Sequence, residues 1–124
     1  MIEDFTIDPT SSLPVYEQIK QAIKLEILAG TIKENNRLAG IRELAARIKV
    51  NHNTIVKVYY QLSVEGFIYP KQGQGYFVQY TAGRESNDKT KLFKEITEEY
   101  INKSVKLGFS HKDIITELNN QIKG

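Results

Sequence analysis

Three stretches of this chain place an apolar residue at every third or fourth position, and a glycine-rich strand-turn-strand pattern follows the last of them. The first runs from Pro14 to Ala29 and carries Tyr16, Ile19, Ile23 and Ile27; the second carries Ile41, Leu44, Ala45 and Ile48; the third carries Ile55, Val58, Tyr59 and Leu62. This spacing puts each set on one face of a helix. Three short amphipathic helices must bury those faces against one another. The boundaries carry matching signals. Pro14 suits a first turn, where its missing N–H is not needed, and Gly30 suits the position after a helix end. Asn51 can cap the third helix by accepting from the N–H groups two and three residues on, and Gly66 ends that helix. The run from Glu65 to Phe77, with Lys71-Gln72-Gly73-Gln74-Gly75 at its centre, reads as a β-hairpin with a glycine-rich tip. Helix, helix-turn-helix, hairpin is the order of a winged helix-turn-helix, an arrangement that lays one helix in a DNA major groove. The fold class is therefore mainly α with a small β-hairpin wing.

Bulk properties narrow the function classes. A length of 124 residues fits one domain with a small appendage. The absence of cysteine excludes disulfides, thiolate metal sites and thiol catalysis. The acidic start, Glu3 and Asp4, lacks the apolar stretch of a secretory signal, and no apolar run approaches a bilayer's width. The expectation is a cytoplasmic protein without membrane contact. Net charge is only +2, but it is unevenly placed. Between Arg37 and Phe77 stand six Lys or Arg and two acids, whereas residues 1–36 hold three Lys and six acids. The positive excess lies on the helix-turn-helix and wing, as phosphate binding requires.

Outside that core, Phe5-Thr6-Ile7-Asp8 alternates like a short edge strand. Residues 81–88 are polar, include Gly83 and lack periodicity, so they read as a linker or hinge. Helical spacing then returns. Leu92, Ile96 and Tyr100 share a broad face with Phe93, Ile101 and Val105, and Gly108 closes that helix. Ser110 and Asp113 resemble a capping box for a last helix carrying Ile114, Ile115, Leu118 and Ile122. The chain thus divides into a winged domain, residues 1–80, and a two-helix tail, residues 84–124. Two helices alone bury their apolar faces poorly, so the surplus face packs on the winged domain or meets a second copy. The hinge favours the copy, with Leu92, Phe93, Ile96, Tyr100, Ile114 and Leu118 at a homodimer interface. So small a tail offers little concave volume for an effector; one would bind near Leu92, Ile96 and Tyr100.

The succession Tyr16-Glu17-Gln18-Ile19, Ile41-Arg42-Glu43-Leu44-Ala45, Asn51-His52-Asn53-Thr54-Ile55, Glu65-Gly66-Phe67-Ile68 and Gly73-Gln74-Gly75 resembles the GntR family of bacterial transcription regulators over residues 13–79. The short tail looks like the YtrA-like subfamily. The resemblance implies a homodimeric repressor of double-stranded operator DNA, without the large effector domain of other family members. Two positions depart from the family pattern. Ala39-Gly40 replaces the usual Pro-Ser, which removes a hydroxyl from the helix start. Lys49 replaces the usual Gly in the turn, at a cost of about 1 kcal/mol if that position needs φ > 0.

The DNA-binding candidates follow. Arg42 matches the family's DNA-contacting arginine and lies off the apolar face. Asn51, His52, Asn53 and Thr54 open the recognition helix, where side chains reach base edges; Asn can pair bidentately with adenine, and His or Thr can donate. Lys57, one turn on, suits a phosphate. Lys71, Gln72 and Gly73 form the wing tip, where glycine allows close backbone approach. An enzyme is not indicated. His52 and His111 stand in separate segments, and no catalytic triad, metal-ligand spacing or cofactor motif is present. The alternative reading is a winged-helix protein-interaction module that does not read DNA.

Overall fold

The apolar spacing folds as it reads. The computed structural model describes residues 1–79 and 85–124. Helix α1 spans Val15–Leu28, α2 Ile41–Ile48 and α3 His52–Val64; strands β1 (Ile68–Lys71) and β2 (Gly75–Val78) follow, then α4 (Glu85–Lys106) and α5 (His111–Lys123). The strands pair antiparallel, Ile68 opposite Val78 and Lys71 opposite Gly75. Pro14 stands at the cap of α1 and Gly30 follows its end at φ +80°.

The core is built from the predicted faces: Ile19, Ile23 and Ile27 of α1, Leu44 and Ala45 of α2, and Ile55, Val58, Tyr59 and Leu62 of α3. Ile68 and Val78 of the hairpin close it. At the far end of α3, Glu65 accepts from Lys20 at 2.7 Å and Lys24 at 2.6 Å, which clamps α1 against α3. Burial pushes the Glu65 carboxyl up, but the two ammonium groups outweigh it and leave it below its ordinary range.

The α2–α3 turn confirms the special backbone at Lys49, which sits at φ +59° in the left-handed region. Its N–H and that of Val50 both donate to the Ala45 carbonyl, ending α2. The geometry requires positive φ, so Lys49 carries the strain a glycine would avoid.

The structure corrects three expectations. Phe5–Asp8 is not a strand. The Gln18 side chain takes up this backbone instead, accepting from Asp8 N at 2.8 Å and donating to the Asp8 and Leu13 carbonyls. The segment that does add to the wing lies elsewhere: Leu38 N donates to Tyr76 O, and Arg37 forms a β-bridge with Phe77. Second, residues 85–88, read as linker, form the first turn of α4; Gly83, the proposed hinge, lies outside the described residues. Third, part of the tail's apolar face is covered within the monomer. Leu92 is buried in the winged domain's core, and Ile114 is buried beneath α5. Leu92 therefore serves the monomer rather than a face left for a second copy. Polar contacts extend the docking of α4. Ser11 Oγ donates to Glu99 at 2.7 Å, and Lys103 bridges Asp8 and Glu99.

The helix pair ends as predicted. Gly108 at φ +100° closes α4, and Ser110 and Asp113 form a reciprocal capping box on α5. No helix among the described residues is long and apolar enough to cross a membrane.

Two stability predictions follow from this packing. Lys49→Gly should stabilise the fold by up to about 1 kcal/mol, because it relieves a left-handed side-chain clash. Leu92→Ala should cost about 2–5 kcal/mol, whereas Lys94→Ala, at an exposed polar site of the same helix, should stay within about 0.5 kcal/mol. Chemical denaturation of the three variants checks both, and equal costs at Leu92 and Lys94 would contradict the docking of α4.

Candidate nucleic-acid interface

Helix α3 has its core side committed, so its outward side is set by elimination. With Ile55, Val58, Tyr59 and Leu62 turned inward, Asn53, Val56, Lys57 and Tyr60 form the exposed stripe. Asn51 is the predicted N-cap: its side-chain oxygen accepts from Asn53 N at 2.7 Å. The cap uses that oxygen, which leaves the amide NH₂ as its free donor toward a base. Thr54 is half-buried and its N–H donates to the Asn51 carbonyl. It and His52 are less exposed than Asn51 and Asn53.

His52 and Arg42 come together. Both line an open groove of about 410 Å³ between the starts of α2 and α3 and the base of the wing, with Gly40, Gly75 and Tyr76. Lys57 points differently, toward α1, with its ammonium 3.6 Å from the centroid of the Tyr16 ring. This cation–π contact holds the charge at the α1 edge of the helix without neutralising it.

The wing tip is a tight turn in which Gln74 N donates to Lys71 O, with Gly73 at φ +74°. Lys71, Gln72 and Gly73 are all exposed there. The Lys71 ammonium lies 4.7 Å from the Phe77 ring centroid, and Phe77 stacks on Tyr69. One residue that shapes the wing was not among the sequence candidates. Arg37 Nε donates to the Gln74 carbonyl at 2.8 Å, bracing the wing against the segment that leads into α2. Gly75 makes room for it: a Cβ there would meet Arg37 Nε at 3.3 Å, on backbone at φ +105°. The basic excess around Arg37 was visible in the sequence, but nothing there tied that particular arginine to the wing.

A three-helix core, an outward helix with polar and cationic side chains, and a basic wing beside it define a winged-helix DNA-binding protein. The model of the family "Bacterial regulatory proteins, gntR family" matches residues 15–78, more than half of the chain. The chain belongs to the GntR family.

Relatives agree with this placement. The HTH-type transcriptional repressor YtrA of Bacillus subtilis (strain 168) is 43% identical over 76 residues, which is 61% of this chain and 58% of that protein. The match thus spans less than two thirds of that relative's length. A GntR family transcriptional regulator from Listeria monocytogenes superposes with a TM-score of 0.68 at 32% identity, over 92% of this chain and 98% of that one. AraR(DBD) in complex with operator ORX1 gives a TM-score of 0.55 at 33% identity, over 60% of this chain and 92% of that one.

The geometry separates two kinds of contact. His52→Ala or Asn53→Ala should cost about 1–3 kcal/mol at the cognate site and little elsewhere. Lys57→Ala or Lys71→Ala should weaken binding to all duplexes and flatten the salt slope by about one unit. Arg37→Ala should act through the wing, so its loss and that of Lys71→Ala should be strongly non-additive. Fluorescence anisotropy with cognate and scrambled duplexes across a salt series distinguishes these outcomes. An altered base preference for Lys71→Ala with an unchanged slope would overturn the assignment of roles.

Proposed function

We propose that this chain is a homodimeric transcriptional repressor of the YtrA-like GntR type that binds an inverted-repeat operator. Each winged domain reads one half-site, and the tail sets the separation of the two copies. Function here is binding rather than catalysis, and its place is the cytoplasm, where bacterial DNA lies. The observation that carries the dimer is the apolar surface left on α4 and α5 after the monomer has folded. Phe93 is 69% exposed, Leu107 77%, Phe109 56% and Ile122 82%, with Ile96, Tyr100 and Leu118 beside them. So many large apolar side chains left exposed on two helices and the loop joining them point to an interaction surface. A two-fold dimer with one recognition helix per subunit matches a DNA dyad, with half-site centres about 10 bp apart or a multiple of that.

The interface also supplies room for an effector. A groove between α4 and α5, about 660 Å³ and lined by Tyr100, Leu107, Phe109 and Ile114, falls within the size range of small-molecule sites. It is larger than two short helices promised. Of the three residues expected around an effector, Tyr100 lines it, whereas Leu92 is spent on the core.

Removing the tail at Gly83 would strip Leu92 from the core, so surface substitutions test the dimer more cleanly. Phe93→Glu with Leu118→Glu should give a folded monomer by sedimentation and lose most operator affinity. Footprinting of the unaltered protein should show two protected half-sites related by a dyad. A dimer that survives the substitutions, or a single asymmetric footprint, contradicts the reading.

A further inference from the structure

The outward stripe of α3 is not uniformly polar. Val56, the fifth residue of the helix, stands between Asn53 and Lys57 and is 40% exposed. It is absent from the core cluster and from the apolar residues packed against it. The core face of α3 is already complete, so Val56 has no packing duty within the monomer. A lone exposed valine is ordinary on most surfaces. Here, however, it lies in the first two turns of the helix whose early residues face base edges. It is one helical step of three residues from Asn53, a rise of about 4.5 Å, between one and two base-pair steps of about 3.4 Å. The floor of the major groove presents donors, acceptors and one apolar group, the C5 methyl of thymine.

We propose that Val56 is a specificity-determining residue that reads a thymine through its C5 methyl, at a base pair neighbouring the one faced by Asn53. Any polar base edge set against this isopropyl group would lose its water without gaining a hydrogen bond, so the other three bases are disfavoured at that position. The inference rests on the DNA-reading function and adds a base identity to it.

The test uses the full chain. Binding sites are selected from a random duplex library, and each thymine of the selected site is replaced singly by deoxyuridine, which removes only the methyl. The unaltered protein should lose about four-fold in affinity at one thymine per half-site, the worth of one buried methyl group. Val56→Ala should bind more weakly and be indifferent to that same replacement. Alanine is the better helix former, and circular dichroism confirms that the variant folds. A selected site with no methyl-sensitive thymine, or equal sensitivity in Val56→Ala, overturns the assignment while leaving the DNA-reading function standing. Failure to select any sequence overturns both.

Discussion

Tyr59 joins the three parts of the DNA-binding head. Its ring is buried on the core face of α3, and its hydroxyl donates to the Ala39 carbonyl at 2.6 Å, one residue before the cap of α2. Its edge meets Tyr76 of β2, with ring centroids 5.2 Å apart. Burial pushes the phenol's ionisation up, with the negative charge of Glu43 adding to it, so the hydroxyl stays a neutral donor across physiological pH. The hydrogen bond itself is worth about 1 kcal/mol. Its larger effect is geometric, because one side chain fixes how the recognition helix, the start of α2 and the wing face one another.

Charge is divided between two duties. On the side away from the recognition face, Lys20 and Lys24 are spent on Glu65, and Lys103 on Asp8 and Glu99. On the recognition face, Lys57 and Lys71 lie against aromatic rings, and Arg37 against a backbone carbonyl. Rings and carbonyls orient a cation without cancelling its charge. These side chains are thus held in place while their charge remains for phosphate, which lowers the ordering cost of binding. The formal net charge of the whole chain conceals this arrangement.

Much of the fold was legible because its signals are local. Apolar spacing located the three helices of the head, with Asn51, Gly30 and Gly66 at their ends, and Gly108 and the Ser110–Asp113 pair marked the junction of the two tail helices. Lys49 stands where glycine is usual, which left open whether the turn needs a positive φ, and the structure answers that it does. What escaped depends on partners distant in sequence. Periodicity puts Leu92 on the apolar face of α4 but does not say that the winged core covers it. Alternation at Phe5–Asp8 resembles a strand, yet Phe5 bonds back to Ile2 and Asp8 bonds to the Gln18 side chain. Arg37 reads as one more basic residue until the wing folds back on it. Among the recognition residues, helical phase was enough to turn Asn53 and Lys57 outward, whereas the contact of Lys57 with Tyr16 required the packing of α1.

Helix α4 belongs to both halves of the molecule. Its early turns carry Leu92 into the winged core, and its later ones carry Tyr100 and the junction with α5. A helix of 22 residues is about 33 Å long and resists bending. It therefore behaves as a splint, docked on the DNA-binding head from Leu92 through Glu99 to Lys103 with the junction to α5 just beyond, rather than as a tether. Angular phase along such a helix is set by residue count. One residue added after Lys103, beyond the last of these contacts, turns the junction with α5 by about 100° and advances it about 1.5 Å. In the proposed dimer, a helix lengthened or shortened there would thereby rotate one head against the other, and would change which operator spacings are accepted with no alteration to the recognition helix or wing.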